Sequence, residues 1–122
     1  MIKQFSSYKI VGRGRAKTLG FPTINLKIPA DFDLKEGIYG VFVLLDGIRY
    51  LGAMHYGGSP TFSDIEKSLE VFLIDIENIS IINNKVDVQI VRYLRPVKNF
   101  ASKNELKKQI KDDVKNIKSL ST

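Results

Sequence analysis

The sequence predicts a mainly β domain, an antiparallel barrel that carries one C-terminal helix. Short stretches rich in Val, Ile, Tyr and Phe continue to about residue 94, and turn residues separate them. Beyond residue 101 the apolar residues recur with the period of a helix. Because closure removes the exposed edges of a sheet, a barrel closed or capped by that helix is the expected architecture.

A single domain is expected, since 122 residues of which 43% are hydrophobic suffice for one modest core. We place the barrel at about residues 1–100 and the helix at about 102–120. The chain contains no internal repeat, linker or low-complexity tract. Residues 1–122 are therefore taken as one unit.

The clearest strands form a hairpin. The stretches GIYGVFVLL (37–45) and IRYLGAMHY (48–56) are separated by Asp46 and Gly47. Asp-Gly between such runs favours a tight turn in which both central residues have positive φ. A hairpin is therefore predicted over 37–56.

A second pair of strands is predicted further along the chain. SLEVFLIDI covers 68–76, and KVDVQIVRYL covers 85–94 with alternating apolar residues. Asn83 and Asn84 supply the expected turn before the second of these strands.

The C-terminal segment has the features of an amphipathic helix. Ser102 and Glu105, three residues apart, form a capping-box signature. Apolar residues then recur at spacings of four, four and three, at Leu106, Ile110, Val114 and Ile117. This helix is expected to lie on the barrel with its lysine-rich face in water.

Composition narrows the class of protein. The absence of cysteine excludes disulfides, thiolate metal sites and a cysteine nucleophile. No apolar run approaches the roughly 20 residues that span a bilayer, and the N-terminus lacks the apolar core of a signal peptide. We therefore predict a cytoplasmic protein.

The net charge of +6 suits an anionic partner. Nucleic acid, a membrane surface and a nucleoside triphosphate all remain open as that partner.

The stretch GRGRAKTLGFPTIN (12–25) raises the question of a phosphate-binding loop. A Walker A loop requires glycine before its Lys-Thr pair and a helix after it, but Lys17 follows Ala16 and the pair leads into Pro22. Gly-Arg-Gly is too short for a dinucleotide fingerprint. A mobile basic loop is the simple alternative.

The second half of this stretch carries a different signal. Pro22 favours an extended backbone, so Thr23 and Asn25 should project to the same side. A hydroxyl and an amide oxygen are suitable ligands for Mg²⁺, which prefers oxygen. Thr and Asn at a turn also serve simply as hydrogen-bonding partners of the backbone, and that alternative stays open.

Motifs along almost the whole chain resemble the riboflavin kinase family. LGFPTIN resembles its signature G-[FI]-P-T-A-N, with Ile24 in place of the common Ala. The other matching stretches follow in the order and spacing of the family: GIYG (37–40), GAMHYGGSPTF (52–62), SLEVFLID (68–75), YLRPVKNF (93–100) and L-x-x-Q-I-x-x-D (106–113).

The resemblance implies a fold and an activity. The expected fold is a six-stranded antiparallel Greek-key barrel with a C-terminal helix. The expected reaction transfers the γ-phosphoryl group of ATP to the 5′-hydroxyl of riboflavin, which gives FMN and ADP. Mg²⁺, with Mn²⁺ or Zn²⁺ as alternatives, is implied as the cofactor, held by Thr23 and Asn25. Glu70 matches the catalytic base.

The residues around Glu70 agree with that role. In SLEVFLIDI, Glu70 alternates with Phe72, Ile74 and Ile76, which should place a carboxylate on an otherwise apolar face. The alternative is a glutamate at a strand end that is turned towards solvent.

The resemblance also implies the remaining site residues. A flap over the phosphates of ATP is expected from Gly12, Gly14 and Lys17, and Thr23 and Asn25 are expected to bind ATP as well. A loop that closes over riboflavin or FMN is expected from Arg95, Pro96 and Phe100. Phe100 could equally anchor the helix, since it lies just before Ser102.

Several positions depart from the family pattern. Ala16-Lys17 stands where many bacterial members have Gly-Arg, Phe72 replaces the usual His, and Val97 replaces a Glu. His55 replaces the usual Asn, and a lone histidine of this kind is more often a structural hydrogen-bonding residue than a catalyst. The proposed metal ligands and the base are intact.

The expected partners are riboflavin or FMN and ATP or ADP, with no membrane and no nucleic acid, and the chain is expected to be a monomer. FAD synthesis is not expected, because the adenylyltransferase domain of bacterial relatives needs a H-x-G-H type motif and this chain has one histidine. The chain is then a stand-alone kinase or an excised module beside an adenylyltransferase domain or a separate FAD synthetase.

Two alternative functions remain open. One is a flavin-binding relative with weakened catalysis, and the other is a basic barrel that binds single-stranded nucleic acid.

Overall fold

The computed structural model describes residues 3–10, 23–59, 64–74, 76, 84–97 and 102–120. Within these ranges the elements are β1 Gln4–Ile10, β2 Thr23–Leu26, β3 Gly37–Leu45, β4 Ile48–Ser59, β5 Asp64–Leu73, β6 Lys85–Arg95 and α1 Lys103–Leu120. The strands close into an antiparallel barrel in the order β1-β2-β5-β4-β3-β6. The predicted six-stranded antiparallel barrel with one C-terminal helix is confirmed.

Alternate side chains of the strands fill the barrel interior. Ile24 of β2 pairs with Val71 of β5, Val71 pairs with Met54 of β4, and Met54 pairs with Tyr39 of β3. All four are buried in the main apolar core. Since successive residues of a strand face opposite sides, the residues between them lie on the outer face of the barrel.

The hairpin of β3 and β4 has the predicted turn. Asp46 has a φ of 49° and Gly47 a φ of 82°, as the Asp-Gly pair requires. β3 has the predicted bounds, and β4 continues to Ser59, three residues beyond the prediction. β4 is therefore long enough to pair with both β3 and β5.

β5 differs most from the prediction. It covers Asp64–Leu73 rather than 68–76, so it begins earlier and ends earlier. The expectation that Ile76 shares a face with Glu70 is wrong, because Ile76 lies beyond the strand and packs against the interior core. The predicted turn at Asn83 lies outside the described residues, while Asn84 accepts a backbone hydrogen bond from Lys9 at 2.8 Å.

The helix begins and packs as the pattern indicates. The backbone N–H of Glu105 donates to the hydroxyl of Ser102 at 3.2 Å, which is the predicted cap. Ile117 is fully buried in a second apolar cluster with Ala53 and Ile74, and Val114 packs against it. Within the ranges that the structure describes, no helix is long and apolar enough to cross a membrane.

An alanine at Gly37 is expected to lower the free energy of unfolding by about 1–3 kcal/mol. A Cβ atom there would lie 2.5 Å from Cε1 of Tyr93 and 2.7 Å from the backbone oxygen of Arg95, so β3 and β6 would have to move apart. Urea unfolding of Gly37→Ala beside Asp33→Ala, a change at an exposed loop position, measures this effect. Equal stability of the two variants would contradict it.

Candidate active site

The short strand β2 presents the two predicted metal ligands. Ile24 and Leu26 point into the barrel, where each is 1% exposed. Thr23 and Asn25 are half-buried and occupy the alternate positions, so both lie on the outer face. The two side chains therefore share a side, as expected, and the alternation of side chains along β2 accounts for it.

β5 places Glu70 directly beside Asn25. These two residues are opposite each other in the β2–β5 pairing, and His55 is opposite Glu70 in the β4–β5 pairing. Side chains that face each other in this way have Cβ atoms about 4.5–5.5 Å apart. Asn25, Glu70 and His55 therefore form one row across three strands, which we call the Glu70 row.

Glu70 is unusually buried for a carboxylate on the outer face of a barrel. It is 8% exposed, and the alternative of a strand-end glutamate turned to solvent does not hold. A buried carboxylate is costly unless polar groups surround it. Asn25 and His55 flank it with an amide and an imidazole.

An apolar layer lies next to the Glu70 row. Two residues further along β5, Phe72 is opposite Thr23 of β2 and Ala53 of β4. Phe72 packs on the cluster that holds Ile117 of α1. The residue that replaces the family's usual His therefore packs against the apolar cluster to which the helix contributes Ile117.

Arg95 ties the same helix to the end of β6. Its Nε and Nη2 donate to the two carboxylate oxygens of Asp113 at 3.0 and 2.7 Å, and its Nη1 donates to the backbone oxygen of Pro96 at 3.0 Å. The side chains of Arg95 and Asp113 are only 13% and 6% exposed. Gln109 donates to Asp113 as well, at 3.1 Å. The binding of riboflavin by Arg95 and Pro96 stays a prediction.

Other predicted site residues lie outside the described residues. This group comprises Gly12, Gly14, Lys17 and Phe100. Among the predicted site residues that the structure describes, Thr23, Asn25 and Glu70 are brought together by the pairing of β2 with β5. A groove of about 520 Å³ crosses β1, β3 and β6 on another part of the barrel, lined among others by Phe42 and Asp87, and none of these three site residues lines it.

The donor set of β2 fits a hard divalent cation. Thr23 offers a hydroxyl oxygen and Asn25 an amide oxygen on one face, and Mg²⁺ binds through a few protein oxygens while keeping waters and phosphates. Groups of three or more His, Cys, Asp or Glu side chains suited to a metal do not occur among the described residues. Two protein oxygens of this kind would leave the other coordination positions of a cation to water and phosphates.

His55 is the residue whose position sequence reasoning missed. The sequence predicts a structural hydrogen-bonding residue at this position, and the strand pairing adds that it lies beside Glu70. The Asp46-Gly47 turn predicts β4 and the family motif singles out Glu70 on β5, but only the pairing of these two strands places His55 beside Glu70. The register between these strands was not derivable from either strand alone.

Comparison with known proteins identifies the family of this chain. A family model described as riboflavin kinase, or flavokinase, matches residues 3–121. The chain belongs to the riboflavin kinase family. It is 36% identical over 106 residues to the RNA-binding riboflavin kinase RibR of Bacillus subtilis, a match that covers 86% of this chain and 45% of that protein.

The curated relatives of this chain include longer proteins. Several, including proteins of Haemophilus influenzae and Escherichia coli, are named bifunctional riboflavin kinase/FMN adenylyltransferase. The chain spans less than half the length of these curated relatives.

Two solved structures have the same fold. The crystal structure of a macrolide-efflux protein from Streptococcus pneumoniae superposes with a TM-score of 0.80 at 27% identity, covering 94% of this chain and 38% of that one. A riboflavin kinase from Trypanosoma brucei superposes with a TM-score of 0.61 at 18% identity, covering 98% of this chain and 80% of that one. The second likeness concerns the fold alone.

Proposed function

We propose that this chain transfers the γ-phosphoryl group of ATP to the 5′-hydroxyl of riboflavin, giving FMN and ADP. The observation that carries the proposal is the pairing of Asn25 with Glu70 across β2 and β5. It sets an amide oxygen, of the type that a hard cation prefers, beside a buried carboxylate within one row of side chains. Membership of the riboflavin kinase family supplies the substrates.

Glu70 acts as the general base in this proposal. As the 5′-oxygen of riboflavin bonds to the γ-phosphorus, the bond from that phosphorus to the β-phosphate oxygen breaks and the hydroxyl proton passes to Glu70. Most of the catalysis comes from positioning the reactants and offsetting charge, so a carboxylate held on a rigid strand suits the task.

Thr23 and Asn25 would hold Mg²⁺ through their side-chain oxygens. When bound, the cation offsets negative charge on the nucleotide phosphates. Mn²⁺ or Zn²⁺ in its place is an alternative that the oxygen donors also permit. Asn25 would then orient the phosphates of ATP towards Glu70, since the two side chains are neighbours.

The other assignments come from the family. We place Gly12, Gly14 and Lys17 over the phosphates, where glycines permit close approach and lysine supplies a point charge. We place riboflavin against the loop of Arg95, Pro96 and Phe100. We also propose that residues 1–122 form one kinase domain, monomeric, and able to work beside an adenylyltransferase domain or a separate FAD synthetase.

The direct test incubates the purified chain with riboflavin, ATP and Mg²⁺. We expect FMN and ADP in equal amounts, with FMN separated by chromatography and detected by its fluorescence. Riboflavin binding without turnover at any of the three cations would instead identify a relative with weakened catalysis. Binding of single-stranded nucleic acid that neither ATP nor riboflavin competes for would favour the nucleic-acid alternative.

Asn25→Ala is expected to raise the Mg²⁺ concentration for half-maximal FMN formation by about 10-fold or more. The variant removes one of two protein oxygens from the cation. Titration of Mg²⁺ at fixed ATP and riboflavin measures the effect, and Asn116→Ala, at an exposed position of α1, is the matched control. An unchanged Mg²⁺ requirement would remove Asn25 from the metal site.

A further inference from the structure

We propose that His55 is a positioning residue for Glu70. An imidazole N–H of His55 would donate to the Glu70 carboxylate and hold it in the orientation that accepts the proton of the riboflavin hydroxyl. The inference rests on the proposed kinase function for its kinetic consequence, and on the Glu70 row for its geometry.

The backbone of His55 is fixed on both sides. β4 pairs with β3 through Ile38 and His55, and with β5 through His55 and Glu70. The β4–β5 register is continuous from Gly52 to Gly57 and shifts only between Gly57 and Ser59. The backbone of His55 is therefore held opposite that of Glu70 by strand pairing on both sides, which is the rigidity that a positioning group needs.

The two flanks of Glu70 are chemically different. Asn25, on the β2 side, is the residue whose oxygen we assign to the cation. His55, on the β4 side, carries a ring N–H and lies opposite Glu70, which is 8% exposed. A carboxylate so buried needs donors to offset its lost hydration, and a ring N–H is suited to donate to it.

The orientation of the base matters for rate. A carboxylate can rotate about its last bond, and only some orientations direct a lone pair at the hydroxyl proton. Displacement of a reacting group by about 1 Å can lower rates by about 100-fold. A donor on the β4 flank restricts this rotation without taking part in the proton transfer itself.

The residue types found at position 55 indicate which chemical group is needed opposite Glu70. Histidine stands here where the family pattern usually has Asn, and both side chains carry an N–H group. We infer that an N–H donor opposite Glu70, rather than imidazole chemistry, is the requirement. Asn and Leu are close in size, so a comparison of His55→Asn with His55→Leu separates the effect of hydrogen bonding from that of side-chain volume.

The first experiment needs no turnover. The chain has one histidine, so ¹⁵N-labelled histidine reports on His55 alone. We expect the ring ¹⁵N shifts to differ between the unsubstituted protein and Glu70→Ala, and to stay unchanged in Asp112→Ala, which alters an exposed carboxylate of α1. Identical ring shifts in the unsubstituted protein and Glu70→Ala would overturn the contact.

The second experiment tests the effect on catalysis. We expect His55→Leu to lower kcat by about 10- to 100-fold with little change in KM for riboflavin or ATP, and His55→Asn to recover most of the activity. Equal kcat in His55→Leu and the unsubstituted protein would overturn the positioning role. Equal losses of kcat in His55→Leu and His55→Asn would also overturn it. A residue that acts as an N–H donor should be replaced better by Asn than by Leu, whereas a residue that only packs should not.

The two proposals can fail separately. If the unsubstituted protein makes no FMN, the kinase function fails while the ring shifts still decide whether His55 contacts Glu70. If FMN forms and the His55→Leu rate is unchanged, only the positioning role fails.

Discussion

Replacing Glu70 with glutamine is expected to lower kcat for FMN formation by about 10²–10⁴-fold, the usual contribution of a general base. Glutamine keeps the shape of the side chain but cannot accept the hydroxyl proton. Binding of riboflavin and of ATP should be retained, because the change leaves the strand pairing of β5 intact. Single-turnover formation of FMN, followed by chromatography, measures the chemical step directly.

The control for this prediction is Asp112→Asn, which makes the same chemical change at an exposed position of α1. It should leave kcat unaltered. Thermal unfolding of Glu70→Gln shows whether the fold is preserved. A folded Glu70→Gln with near-normal kcat would mean that another group or water accepts the proton, and Glu70 would no longer be the base.

Removing Asp113 is expected to reduce the free energy of unfolding by about 3–5 kcal/mol. Asp113→Ala leaves the Arg95 guanidinium, which is 13% exposed, without its bidentate partner, and Gln109 without its acceptor. The neighbouring Asp112 is exposed, so Asp112→Ala should cost little by comparison. Urea unfolding of the two variants measures the difference.

A double-mutant cycle tests the energetic coupling between Arg95 and Asp113. Arg95→Ala together with Asp113→Ala should destabilise the fold by clearly less than the sum of the single changes, because either one already breaks the pair. Strict additivity would contradict the pair as a stabilising unit. A larger rise in KM for riboflavin with Arg95→Ala than with Asp113→Ala would support a direct contact between Arg95 and the flavin.

Local sequence patterns predict much of the fold. The Asp46-Gly47 turn and the Ser102 cap were predictable because each depends on residues adjacent in the chain. β1 had no residue pattern that marked it as a strand, since its interior residues include Ser7, a buried polar residue whose hydroxyl donates to the backbone oxygen of Lys27. Hydrophobic periodicity cannot reveal a strand that buries a hydroxyl.

The site was predictable where the family motifs are intact. Thr23, Asn25 and Glu70 were placed by motif and the structure brings them together, although their chemical roles remain proposals. The contact of Arg95 with Asp113 was not predictable, since it depends on how α1 docks. The position of His55 beside Glu70 required the register of two strands, which no local pattern encodes.

The way β1 closes the barrel has a consequence for synthesis in the cell. Gln4 of β1 pairs with Gln89 of β6, so the strand of this barrel that is made first pairs with the strand that is made last. At about 5–20 residues per second, β1 waits roughly 4–17 s before its partner has been made. During that interval the other strands can pair only as an open sheet with unprotected edges, which is the period in which a nascent chain is most exposed to aggregation and to chaperones.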